Sequence, residues 1–101
     1  MTNQIENTSL DQRFHGETAL INWRDLQRNF AQGNVLLITE ELNLIEVATH
    51  FAEDDSTQIA DLLKRGEISQ PSNDEARNWY ENQSELWAVV VAPFVLVQKP
   101  Q

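Results

Sequence analysis

The feature that most constrains the fold of this chain is its closing run, "LWAVVVAPFVLVQ", from Leu86 to Gln98. β-Branched and aromatic residues dominate this run, as is typical of strands. Its apolar part covers about twelve residues, which is short of the roughly 20 that a membrane-spanning helix needs. Pro93 has no N–H for a ladder hydrogen bond, so we expect it at an edge, a bend or a bulge that divides the run into two segments.

The remaining sequence predicts short helices around a second strand. "VLLIT", from Val35 to Thr39, lacks alternation and is short, as expected of a strand that is covered on both faces. Four groups of apolar residues recur at helical spacing instead. They are Ala19, Trp23, Leu26 and Phe30; Leu44, Val47, Ala48 and Phe51; Ile59, Leu62 and Leu63; and Ala76, Trp79 and Tyr80.

Helix ends are indicated by local signals. Ser9 with Gln12, and Ser72 with Glu75, have capping-box spacing, so each pair is expected to start a helix. Gly33 and Gly66 suit the left-handed position that closes a helix. "EIS", directly after Gly66, is expected to form a short strand.

These patterns predict an α+β fold. We expect a small sheet of two to four strands, with the segments from Val35 to Thr39 and from Leu86 to Val97 as core strands, packed with about four or five short helices. Residues 1–8 are expected to be a disordered N-terminus and residues 9–101 a single domain. A winged-helix-like arrangement is the alternative, with "STQIADLLKRG" in the place of a recognition helix.

The charge of the chain limits its partners. Sixteen Asp and Glu against seven Lys and Arg give a formal net charge of −9, and no Lys or Arg lies between Arg28 and Lys64. Such a field repels phosphate backbones and anionic membranes, so we expect neither nucleic acid nor membrane as a partner. A basic protein surface or a cation would be attracted. The N-terminal segment lacks the pattern of a secretory signal, so we expect a cytoplasmic protein.

The stretch with the most functional groups is "HFAEDDSTQ", from His50 to Gln58. Glu46, His50 and Asp54 have the spacing of one helical stripe, so they are candidate metal ligands, although a metal site normally needs three or four ligands and supporting hydrogen bonds. A solvated helix face is the simpler interpretation, and Asp55 with Gln58 has the spacing of a helix cap. The chain has no cysteine and no phosphate-binding glycine loop, and we predict no catalytic residue and no cofactor.

The closing run also predicts an interaction surface. A long apolar strand in a chain of 101 residues is difficult to cover completely, and an uncovered edge pairs readily with another chain. Val91, Pro93, Phe94 and Val95 are therefore candidate interface residues for self-association or for a protein partner.

Several segments together resemble a family of short bacterial proteins, domain of unknown function 2288, which is frequent in cyanobacteria and proteobacteria. They are "INWRDLQRNFAQGNVLLIT", "LNLIEVATHFAEDD", "RGEIS", the helix around Trp79, and "PFVLVQ". The resemblance covers about residues 17–98 and implies a shared fold unit, a bacterial cytoplasmic setting and an unassigned activity. It supplies no site residues.

Two hypotheses for the function follow. We favour a non-catalytic interaction or adaptor protein that self-associates or binds a basic partner. The alternative is a metal- or small-molecule-binding protein or enzyme that uses Glu46, His50 and Asp54.

Overall fold

The structure is a computed structural model that describes residues 2–100, with side chains described from Leu10 onward. Within these residues the chain forms five strands, five α-helices and one short 3₁₀ helix. The strands are β1 (Ala19–Asn22), β2 (Val35–Ile38), β3 (Ile68–Ser69), β4 (Glu85–Val91) and β5 (Phe94–Gln98). The helices are α1 (Thr2–Glu17), the 3₁₀ helix (Trp23–Leu26), α2 (Gln27–Ala31), α3 (Leu44–Ala52), α4 (Ser56–Lys64) and α5 (Asn73–Glu81).

All five strands belong to one mixed sheet in the order β1-β4-β5-β2-β3. The closing run forms β4 and β5, an antiparallel hairpin in which Val91 pairs with Phe94 and Trp87 with Gln98. This confirms that Pro93 divides the run, and the Ala92–Pro93 peptide bond in the turn is cis. β2 runs parallel to β5, whereas β1 and β3 pair antiparallel with β4 and β2.

The predicted class is confirmed, but the expected number of two to four strands is too low. The additional strand is β1, which replaces the start of the helix expected from Ala19 to Phe30. Ile21 pairs with Leu86 of β4, and such tertiary pairing outweighs a weak local helical pattern. Trp23 still reaches the core, but from the 3₁₀ helix that follows β1.

Helices cover both faces of the sheet. On one side, called the α3 face, α1, α3 and α4 pack through Phe14, Val47 and Leu62. On the other, called the α5 face, the 3₁₀ helix and α5 pack through Trp23 and Trp79. The winged-helix alternative is therefore wrong, because α4 lies on a sheet and buries Leu62 there.

Side-chain caps start the helices as the sequence indicates. Asp55 accepts from the Gln58 N–H at the start of α4, and the predicted Ser72–Glu75 capping box opens α5 with both reciprocal bonds. Helix α1 begins at Thr2, well before Ser9. The capping box predicted for Ser9 lies outside the described side chains.

Each of the helices α2 to α5 is followed, two positions after its last residue, by a residue with positive φ. Two of these residues are the glycines that the sequence predicts, Gly33 (φ 76°) and Gly66 (φ 75°). The other two are Asp54 (φ 54°) and Gln83 (φ 51°). Non-glycine residues adopt this conformation at a cost of about 1–2 kcal/mol.

Candidate functional site

The acidic stretch after His50 forms the junction between α3 and α4. The N–H of Asp54 donates to the carbonyl of Phe51 (3.2 Å), and the N–H of Asp55 donates to the carbonyl of His50 (2.9 Å). These two bonds and the left-handed Asp54 form a Schellman motif, a common helix ending that satisfies the last carbonyls. Asp55 then caps α4. The local concentration of polar groups is thus explained largely by the turn between two helices.

The structure does not bring Glu46, His50 and Asp54 together as metal ligands. Within the described part of the chain, no group of three or more His, Asp and Glu side chains could hold a metal ion. The imidazole Nδ1 of His50 lies 3.4 Å from a carboxylate oxygen of Asp55, not of Asp54. This Nδ1 is buried and makes no hydrogen bond to the part of the chain that the structure describes. His50 therefore contacts the cap of α4.

A groove of about 490 Å³ lies beside this junction, between α4 and the β4–β5 turn. We call it the α4–hairpin groove. Its lining is apolar except for one carboxylate. The lining residues are Leu36, Phe51, Asp54, Ile59, Leu63, Val91, Ala92, Pro93 and Phe94.

Packing from three elements fixes the shape of the groove. The rings of Phe51 on α3 and Phe94 on β5 meet edge to face, with centroids 5.6 Å apart. Ile59 and Leu63 occupy the same side of α4 because they are four residues apart. Leu63 remains 49% exposed. The groove is thus a preformed apolar surface that is only partly covered.

Two of the four predicted interface residues are mostly buried, although one of them, Val91, contributes to the lining of the groove. Val91 and Val95 are buried, with 9% and 4% of their surface exposed. Phe94 is half-buried and Pro93 is exposed, and both line the groove.

Ile59 and Leu63 complete the groove, whereas the sequence pattern indicated only that both lie on a helix. Leu62 and Leu63 are adjacent on a helix, so they cannot both point at the same core. That adjacency is the signal in the sequence that could have identified Leu63.

Acidic groups dominate the surroundings of the groove. Asp54 lines it, and Glu53 and Asp55 are its neighbours along the chain. Arg65, at the end of α4, forms ion pairs with Asp61 and Glu67. The hydrogen bonds that the Arg65 guanidinium donates to Asp61, together with the charges of both carboxylates, raise the pKa of this guanidinium above its ordinary value. The positive charge of Arg65 is therefore balanced within the chain.

A second depression, of about 450 Å³, lies beyond the end of β2. Thr39, Glu40, Glu41 and Lys99 contribute to its lining, and the Nζ of Lys99 lies 3.8 Å from a carboxylate oxygen of Glu75. Its polar and charged lining is typical of a solvated loop, so the α4–hairpin groove is the better candidate for a binding surface.

A mixed sheet between two helical layers, with an apolar groove beside an acidic helix junction, places this chain among small α+β proteins whose best-defined surface feature is an apolar groove. The chain belongs to the family described as "Protein of unknown function (DUF2288)", whose family model matches residues 9–99. None of the described helices combines the length and apolar character needed to cross a lipid bilayer.

A solved structure supports the same fold. The chain is similar to the NMR solution structure of PA1075 from Pseudomonas aeruginosa, with 41% sequence identity and a TM-score of 0.78. The match covers 92% of this chain and 86% of the other. Among curated proteins, the comparison gives no match.

Proposed function

We propose that this protein is a non-catalytic interaction module that binds a basic segment of a partner protein in the α4–hairpin groove. The observation that carries the proposal is the apolar lining of this groove with Asp54 as its one charged side chain. An apolar side chain of the partner would enter the groove, and a neighbouring Lys or Arg would pair with Asp54.

The composition of the lining favours a peptide over a small molecule. Small-molecule sites combine an apolar pocket with several convergent polar groups that orient the ligand. Here eight of the nine lining residues have apolar side chains. An apolar anchor with one charged contact is a common mode of protein recognition.

The conformation of Asp54 also supports a role for its carboxylate. A glycine would adopt φ 54° without steric cost, yet the chain has an aspartate at this helix end. Strained residues of this kind tend to occur at functional sites. The carboxylate is placed beside the apolar lining, where it adds charge complementarity to a basic partner.

The overall charge strengthens this attraction. A net charge of −9 draws a basic segment toward the protein before specific contacts form. Raising the salt concentration from about 0.1 M to about 1 M shortens the Debye length from about 10 Å to about 3 Å. Binding to the groove should therefore weaken with salt.

The test is a pull-down from the native lysate at low and high salt, with quantitative and cross-linking mass spectrometry. Leu63→Gln removes an apolar contact in the groove, and Asp54→Asn removes its charge while keeping a residue type that tolerates positive φ. The matched controls are Val90→Gln, at a position that is 57% exposed, and Glu81→Gln, on the exposed surface of α5.

The proposal requires a partner that the wild type and both controls capture and that both groove variants lose. Its cross-links should join a basic segment to residues beside the groove, and high salt should release it. If every captured protein binds the groove variants as well as the controls, the groove is not the binding surface and the proposal is wrong.

A further inference from the structure

The outer side of β1 is a sheet edge whose backbone groups are not paired with another strand of the described residues. β1 lies at one end of the sheet order, and its pairing with β4 aligns Leu20 with Trp87 and Ile21 with Leu86. The register continues to Trp23, whose N–H donates to the Ser84 carbonyl (2.8 Å). Because hydrogen-bonded pairs alternate along an antiparallel ladder, the N–H and C=O of Leu20 point away from β4.

The same alternation identifies the other groups on this edge. The N–H of Asn22 and the carbonyl of Thr18 also point outward. The carbonyl of Asn22 belongs to the N-cap of the 3₁₀ helix, where it accepts the first bond of that helix. The N–H of Thr18 already donates to the carbonyl of Phe14 (2.9 Å). The edge therefore offers two donors and two acceptors, centred on Leu20.

The edge is short, at four residues, but it lacks two other features that usually prevent pairing. No charged residue and no proline lies between Glu17 and Arg24, whereas edge strands are commonly protected by either. Leu20 and Trp87 are neighbours on the same face and remain 43% and 39% exposed. An apolar patch thus lies beside the unpaired backbone.

We infer that the β1 edge pairs with the β1 edge of a second copy of this chain, antiparallel, with the two-fold axis at Leu20. In this register the two Leu20 residues exchange both of their backbone bonds. The N–H of each Asn22 meets the carbonyl of Thr18 in the other copy. The Thr18 N–H and the Asn22 carbonyl already have partners within their own chain. In this register they face each other, so the pairing between the two copies does not require them.

Other registers use these groups less well. With the axis at Ile21, the Leu20 N–H would face the carbonyl of Asn22, which the 3₁₀ helix already uses. The axis at Leu20 also places the exposed Leu20 and Trp87 side chains of both copies on one face of a continuous sheet. The geometry of the edge thus selects one register.

The charges at the two ends of the edge fit an antiparallel pair. Glu17 precedes β1 and Arg24 follows it, so an antiparallel arrangement brings Glu17 of one copy near Arg24 of the other at both ends. Arg24 is held in place by a bond from its Nε to the Tyr80 carbonyl (3.1 Å) and by its position over the Tyr80 ring.

The pairing is expected to be weak and to strengthen with salt. A stable interface buries about 1,200–2,000 Å², and a four-residue strand with two apolar side chains provides less than this. Two copies with a charge of −9 each repel one another, and salt screens that repulsion. This salt dependence is opposite to that of the proposed partner binding, so the two proposals can fail separately.

The first experiment is sedimentation velocity of the full chain over a concentration series at low and high salt. The wild type should show a reversible dimer whose fraction rises with concentration and with salt. Leu20→Lys places two cations at the axis and should weaken the dimer by at least about tenfold. Val90→Lys makes the same change of charge at another exposed apolar position of the sheet and should leave the dimer nearly unchanged.

The second experiment uses the absence of cysteine from the chain. Cα atoms of a hydrogen-bonded antiparallel pair lie about 5.5 Å apart, within the range of about 4.4–6.8 Å that a disulfide allows. Leu20→Cys should therefore oxidise to a covalent dimer much faster than Val90→Cys. Equal rates for the two variants, or a wild type that stays monomeric at every concentration and salt, would overturn the proposal.

Discussion

Replacement of Trp23 provides a direct test of how the α5 face is packed. The Trp23 side chain is completely buried. Its ring meets those of Phe30 and Trp79 edge to face, with centroids 5.4 and 4.9 Å apart. Its Nε1 is buried and has no hydrogen-bond partner among the described residues. The side chain therefore combines a large favourable contact with one unfavourable polar atom.

The two effects can be separated by two substitutions. Trp23→Ala removes the whole ring system and should lower the free energy of unfolding by about 3–5 kcal/mol. The two aromatic pairs account for about 0.5–1.5 kcal/mol each. Trp23→Phe retains an aromatic ring and removes an unpaired N–H, whose burial costs about 1–3 kcal/mol. Removal of this penalty offsets part of the packing that is lost, so Trp23→Phe should lower the free energy of unfolding by less than about 1.5 kcal/mol.

The measurements are urea unfolding and thermal unfolding, both followed by far-UV circular dichroism because removal of Trp23 also changes the fluorescence. Trp23→Ala should lower the Tm by more than about 10 °C in a domain of this size. Trp87→Phe, at a position that is 39% exposed, is the control and should change stability by no more than about 0.5 kcal/mol. If Trp23→Phe costs as much as Trp23→Ala, the indole N–H is hydrogen-bonded and the reasoning fails.

Three further predictions concern backbone conformation and a partly buried amide. Gly66→Ala should destabilise the fold by about 1–2 kcal/mol because the φ of Gly66 is 75°. Gly16→Ala should instead stabilise the fold by about 0.5–1 kcal/mol, because Gly16 lies within α1 and has no close neighbour. Thermal unfolding of the two variants checks both signs. Asp54→Gly should raise the Tm while weakening any partner bound in the groove, and a lower Tm would contradict the assigned strain. The Nε2 of Gln98 donates to two loop carbonyls at 2.9 and 2.8 Å. Gln98→Glu should therefore lower the free energy of unfolding, measured with urea, by at least about 2 kcal/mol. Gln98→Lys keeps a donor and should lower it less.

Much of the helical structure could be predicted because its signals are local. The apolar spacing of α3 and the caps at Asp55 and Ser72 lie within a few residues of the elements that they define. The division of the closing run at Pro93 is equally local, because proline cannot donate to a ladder at any position. These predictions need no knowledge of what packs against each segment.

β1 could not be predicted in the same way. The segment from Ala19 to Asn22 is too short to show a clear period, and its partner β4 is far away in the sequence. Its extended conformation depends on that partner. The exposure of Leu63 could not be predicted for a related reason, since which of two adjacent leucines is buried depends on how α4 rotates against the sheet.

The amino-acid sequence by itself determined the α+β class, the family, the strong negative charge and the ends of most helices. Composition and short-range spacing are sufficient for these properties. Tertiary structure alone decided the five-strand order, the burial of Val91 and Val95, and the groove that joins Phe94 to Leu63. It also decided that Glu46, His50 and Asp54 do not come together as metal ligands. These features depend on contacts between segments that are far apart in the sequence. A local sequence pattern does not report the free energy of such contacts, so it cannot predict them.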